Sequence, residues 1–240
     1  MNESGNIMAM LPWQIEVLRF SFLNMSSDVE GEGLNWSSLT SSEPESVTEK
    51  RGTGVRTEEG PWLNGNLSVS KQHGRIDVVY NFSQQDGPLP NAGSLPDVLE
   101  VFSSLYERFG KVGAIRYAIA GVLLLPVNSV AEGYGKLKDF LPFVKFESDM
   151  SNFFLQVNRK KVSADGISIN ELSKWSSVEV RTLQFTENGL ASEGEIVHAV
   201  RLEFDINTVD QVVVSDRVSV AGVLTDLEHR VFALTHNGAL

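Results

Sequence analysis

The chain contains no cysteine. That excludes disulfides, thiolate metal sites and cysteine nucleophiles, and it agrees with a reducing cytoplasm. Histidine is scarce: His73, His198, His229 and His236 are the only four. No HExxH is present, and no His–carboxylate pair at i, i+4 comes with a third ligand, so no metal site is expected. There is no GxSxG, hence no nucleophile elbow. The glycine-containing stretches "RGTGVRTEEG" (51–60) and "AEGYGK" (131–136) are not phosphate cradles. Such cradles need glycines between a strand and the mouth of a helix. The first reads as a flexible linker and the second lies inside a helical pattern; no cofactor is expected.

Positive charge is also in short supply. Twenty Lys and Arg face 31 Asp and Glu, a net charge of −11. Direct nucleic-acid binding through phosphates and attachment to an anionic membrane are both disfavoured. An acidic solubilising surface accounts for the imbalance. The longest apolar run, Ala118 to Val127, has about half the ~20 residues a membrane-spanning helix needs. The start, MNESGNIMAM, has neither the basic head nor the apolar core of a signal peptide. A soluble, cytoplasmic protein is expected.

What is present is core material: 42% of the 240 residues are hydrophobic, enough for a substantial interior. The run "IRYAIAGVLLLPVN" (115–128) is rich in Ile, Val and Leu and stops at Pro126, which favours a buried strand. In "PWQIEVLRFSFL" (12–23) the apolar parity passes from Trp13, Ile15 and Val17 to Leu18, Phe20 and Phe22, as a bulge or a two-sided central position would cause. A long polar stretch, 24–60, follows as an excursion or functional loop, with a short helix near Trp36 to Leu39 as its best ordered part. Residues 62–82 read as a hairpin turning at His73-Gly74.

Val98, Val101, Phe102, Leu105 and Phe109 mark a helix from about Pro96 to Phe109. A second helix, capped by Asn128 or Ser129, turns Val130, Tyr134, Leu137 and Leu141 inward. Strands are expected at 152–161, 174–186 and 196–206, then a final helix from about Asp216 to Leu234. The fold class is α+β: a largely antiparallel sheet with helices on one face, in two similar, pseudo-duplicated halves. The halves are 1–110 and 111–240, within one compact domain.

Arg116, at the start of the apolar strand, must sit at a rim or find a carboxylate, and Asp205 is the candidate partner. A rim ion pair is the plain reading; the functional one offers the guanidinium to a ligand or neighbouring subunit. Arg116, Tyr117 and His198 are the candidate ligand-binding residues, lining a pocket between sheet and helices. No catalytic residue is assigned. His198 also reads as a hydrogen-bonded core histidine, and "NRKK" (158–161) as a solvated strand end.

After residue 95, three short motifs stand in order: "IRYAIAGVLLLP", "LEFDIN" and "LEHRVFALT". Their arrangement resembles a sporadically distributed prokaryotic family of uncharacterised proteins of about this length. That family usually has Asn where this chain has Ile119. The resemblance implies a partner-dependent accessory role near mobile elements, defence or toxin–antitoxin genes, and transfers no activity. The residues favour a non-enzymatic, self-associating interaction protein that binds a protein partner by a sheet edge or its acidic face. The alternatives are a small-ligand sensor or unrecognised enzyme with a pocket near Arg116, and an acidic nucleic-acid mimic.

Overall fold

Ile15 and Leu18 are both fully buried although odd and even positions of a strand face opposite ways. A bulge at Glu16 resolves this in the first strand, Gln14–Leu23 (β1). Ile15 lies opposite Leu123 and Val17 opposite Val122, leaving one residue extra. The parity switch read from the sequence is therefore a bulge. It turns Val17 to the outer face, away from Trp13 and Ile15.

The computed structural model describes residues 11–23, 33–83, 87–147, 149–185, 191–209, 212 and 218–239. After β1 come a short helix Trp36–Thr40 (α1) and four strands, Ser46–Lys50 (β2), Val55–Trp62 (β3), Gly65–Gln72 (β4) and Arg75–Phe82 (β5). Helices Leu95–Ser103 (α2) and Tyr106–Phe109 (α3) and a 3₁₀ turn at Gly110–Val112 close the first half. The second half has strand Arg116–Val127 (β6), helix Val130–Phe140 (α4), strands Phe154–Val162 (β7), Ser168–Phe185 (β8) and Ala191–Thr208 (β9), and helix Val220–Asn237 (α5).

The nine strands of the described residues form one antiparallel sheet in the order β2-β3-β4-β5-β1-β6-β9-β8-β7. The α+β architecture read from the sequence is thus the observed one. Each half begins with a central strand, passes through a helix to an outer meander, and returns its last strand beside its first. β1 and β6 pair antiparallel at the centre, with Leu18 opposite Gly121 and Arg19 opposite Ala120.

Several expectations needed correction. The long loop expected at 24–60 is, over residues 33–60, mostly regular: α1 forms where Trp36 and Leu39 supply apolar anchors, but β2 and β3 follow it. Asn35 accepts from Ser38 N at 2.8 Å and Ser38 Oγ accepts from Asn35 N at 2.9 Å, a capping box. "RGTGVRTEEG" is a β2–β3 turn and most of β3, not a linker; its strand is held by pairing with β4 rather than by apolar alternation. The helix expected from Pro96 to Phe109 breaks into α2 and α3 near Ser104. Ser129 caps α4, accepting from Glu132 N at 3.2 Å. Gly133, not Val130, faces the sheet: a Cβ there would lie 2.8 Å from Ser177 Oγ, so glycine permits close approach, while Val130 is exposed.

The helices cover one face. The stripe of α5 (Val220, Val223, Leu224, Leu227, Val231, Leu234) is buried as the sequence spacing requires. Trp13, Phe140 and Trp175 pack beneath it, with Phe140 and Trp175 stacked at 5.1 Å. Trp13 Nε1, on the residue just before β1, donates to Thr235 O of α5 at 3.1 Å. Among the described residues, no helix packs on the other face.

Candidate functional site

β6 has a near-continuous buried pattern, yet only one of its faces lies under helices. Ala118, Ala120 and Leu124 point to the helix-free face; the two alanines lie low between longer side chains of the neighbouring strands, while Leu124 packs against Ala199 and against Leu89 of the loop before α2. Those walls are charged. Arg19 on β1 and Asp205 on β9 both flank Ala120, and Arg19 Nη2 reaches Asp205 Oδ2 at 3.9 Å across it. Val17, Val79, Val122 and Leu172 add apolar surface, and the hollow they enclose measures about 370 Å³.

The charges around this hollow differ in how well they are matched. Asp77 accepts from Ser21 Oγ at 2.5 Å, from Arg75 Nε at 2.6 Å and from Arg75 Nη2 at 3.0 Å. Those hydrogen bonds raise the Arg75 guanidinium above its usual range. Glu203 accepts from Arg201 and from Lys174 Nζ, the latter at 3.3 Å. Burial alone would raise the Glu203 carboxyl, but Arg201 and Lys174 outweigh it and hold the group below the ordinary glutamate range. Arg201 also reaches Glu16, the bulge residue, at 3.5 Å. The Arg19–Asp205 pair is the loosest. Asp205 accepts from Asn207 Nδ2 at 2.7 Å, while Arg19 Nε is buried with no hydrogen-bond partner.

The residues singled out from the sequence do not converge. Arg116 begins β6 on the helix-free side and donates from Nε to Thr208 O at 3.2 Å, not to Asp205. The register explains the correction: Asp205 lies opposite Ala120, four residues further along β6. Tyr117 points into the core, its hydroxyl donating to Ala114 O and its backbone N–H to Thr208 Oγ1 at 3.0 Å. Burial pushes that phenol up to about 12. His198 lies opposite Val127, at the far end of β6, roughly 36 Å of extended strand from Arg116. The three share no pocket.

His198 instead borders a second cavity, of about 620 Å³, with Gln14, Asn64, Asn91, Pro126 and Val197. Its Nδ1 is buried without a hydrogen-bond partner, so it is not the satisfied core histidine of the plain reading. Within "NRKK", Arg159 donates to Ala239 O and Lys161 pairs with Glu171 at 2.9 Å. Among the described residues, no three His, Asp or Glu side chains are grouped to hold a metal ion, and no helix is long and apolar enough to cross a membrane.

Sequence reasoning missed Arg19 as a site residue. Alternation places it outward between Leu18 and Phe20, where a charge is ordinary; only the strand register sets it beside Asp205. No family model, no curated protein and no solved structure matches the chain.

Proposed function

We propose that the chain is a non-catalytic interaction protein that holds an extended segment of a protein partner against the helix-free face of its sheet. The observation carrying this reading is Arg19: a guanidinium with a buried, unmatched Nε, 3.9 Å from its nearest carboxylate, above a floor of alanine. A buried donor without a partner costs about 1–3 kcal/mol, which a bound carbonyl or carboxylate would recover. The alanines let a backbone approach the sheet closely, and charges of both signs at the walls favour a polypeptide of mixed charge over a polyanion. The accessory role in a prokaryotic defence or toxin–antitoxin-like system, in the cytoplasm, belongs to this reading.

The test compares wild-type bait with Ala120→Arg and Arg19→Ala in co-purification, followed by hydrogen exchange on the complex. A stoichiometric partner should be captured by wild type and lost with Ala120→Arg, and binding should slow exchange in β1, β6 and β9. A partner retained by both variants, with protection elsewhere, would refute the assignment of the face.

The cavity at His198 supports a second reading, a sensor for a small neutral polar ligand. Its described lining offers amides and an imidazole with an unmatched nitrogen, and its volume falls within the range of small-molecule sites. Metabolite-dependent gains in melting temperature that vanish in His198→Ala would support it; gains that persist would exclude His198 as the contact.

A further inference from the structure

We infer that the chain forms a symmetric dimer by pairing β7 with β7 of a second copy, continuing the sheet across a twofold axis at Asn158. This goes beyond the reading above, because the edge and the helix-free face are separate surfaces and either can fail alone.

The two sheet edges differ. β2 has five residues and starts just after Pro44, which blunts it as edge strands commonly are. β7 has nine residues without proline, and among the described residues no strand pairs with its outer side. A long unpaired edge leaves every second backbone N–H and C=O free to accept another strand. β7 also carries two of the most exposed large apolar side chains among the described residues, Phe154 at 60% and Val162 at 66%.

Lysines on an edge usually oppose such pairing, and β7 has Arg159, Lys160 and Lys161. Here two of them are drawn off. Arg159 donates to Ala239 O, and Lys161 pairs with the buried Glu171, both on the helix side. Lys160 remains on the helix-free side, opposite Asn170.

The sequence of the strand is complementary to its own reverse. An antiparallel mate centred on Asn158 places Phe154 opposite Val162, Leu155 opposite Lys161, Gln156 opposite Lys160 and Val157 opposite Arg159. Both exposed apolar ends are covered at once. All three cations fall in one half of the strand, so each meets a neutral residue. The interface uses the same patch on both copies and closes after two, so it builds no fibre.

The absence of cysteine makes the register measurable. At the axis, the Asn158 Cα atoms of the two copies stand about 4.5–5.5 Å apart, within disulfide reach. Asn158→Cys should therefore give a covalent dimer under mild oxidation. Gln156→Cys, whose copies lie roughly 13 Å apart, should not. Sedimentation velocity should show wild type passing from monomer to dimer with concentration. Gln156→Lys sets two pairs of like charges face to face and should weaken the dimer about tenfold; adding Lys160→Glu should restore it. All these side chains are exposed, so folding is not at stake. Wild type that stays monomeric at every concentration, or a dimer that Asn158→Cys does not lock and Gln156→Lys does not weaken, would overturn the inference.

Discussion

Tyr106 Oη donates a 2.7 Å hydrogen bond to Glu228 Oε2, joining residues 122 apart in the chain. Tyr106 lies on α3 and Glu228 on α5, so this bond ties the helical layers of the two halves. Burial raises the Glu228 carboxyl above the ordinary glutamate range, and the Tyr106 hydrogen bond only partly opposes it. The Tyr106 hydroxyl is itself raised, by burial first and then by the carboxylate, so it stays protonated and donating.

Tyr106→Phe leaves the Glu228 carboxylate half-buried without its donor. The expected loss is about 1–2 kcal/mol at neutral pH, read by urea denaturation. The loss should shrink in acid. A raised folded value means the protonated carboxyl is the form that folding favours. Its contribution is complete below the unfolded value and declines as pH rises through the folded one. An equal loss at pH 4 and pH 8 would mean that the Tyr106 hydroxyl contributes independently of the charge on Glu228.

Glu171 offers a sharper test of buried charge. It is 7% exposed and accepts from Arg230 Nη1 at 2.6 Å and Lys161 Nζ at 2.9 Å. Glu171→Ala strands the Arg230 guanidinium: among the described residues only Asp226, at 3.0 Å, still pairs with it. A destabilisation of about 3 kcal/mol is expected. Glu171→Leu with Arg230→Leu should recover most of that, because it removes the two buried charges together and the partners left behind, Lys161 and Asp226, are exposed enough for water to solvate them. A double variant as unstable as Glu171→Ala would show that shape, not charge, sets the cost.

The strands that alternate were legible because burial on one face imposes a period of two: β5, β9 and the bulged β1 are where the apolar residues of the sequence place them. β2 was not, because its residues are almost all exposed and it is held by hydrogen bonds to β3 that no apolar pattern records. The face carrying the candidate site was not read from the sequence, which put the pocket between sheet and helices; Arg19 and Asp205 stand on the helix-free side and meet only through the register of β1, β6 and β9. Arg116 drew attention by its place beside the apolar run, but it only caps the strand end against Thr208 O.

Gly121 sits where β1, β6 and β9 meet, and its missing side chain is a packing requirement. A Cβ there would lie 2.8 Å from both the Val17 carbonyl oxygen and Phe204 Cζ. The ring can turn but the backbone oxygen cannot. Gly121→Ala should therefore cost about 1–3 kcal/mol by thermal or chemical denaturation. Pairing it with Phe204→Leu should relieve only the ring clash, and the double-mutant cycle measures that share. A neutral Gly121→Ala would mean that the central strands shift apart freely.

Glu203 should show a pH dependence opposite in sign to that of Glu228. Arg201 and Lys174 hold its carboxyl below the ordinary range against the opposing effect of burial. A depressed folded value means that the ionised form favours folding. Its contribution is present above the unfolded value and disappears as pH falls through the folded one. Glu203→Gln should thus cost about 0.5–1 kcal/mol at neutral pH, modest because the side chain is 31% exposed, and nothing once acid has protonated the native carboxyl. Raising the ionic strength at neutral pH should narrow the gap between wild type and variant, since partly exposed pairs are screened. Denaturation curves for both proteins across the acid range decide it: a gap that stays constant with pH would mean that Arg201 and Lys174 do not hold the Glu203 charge in solution.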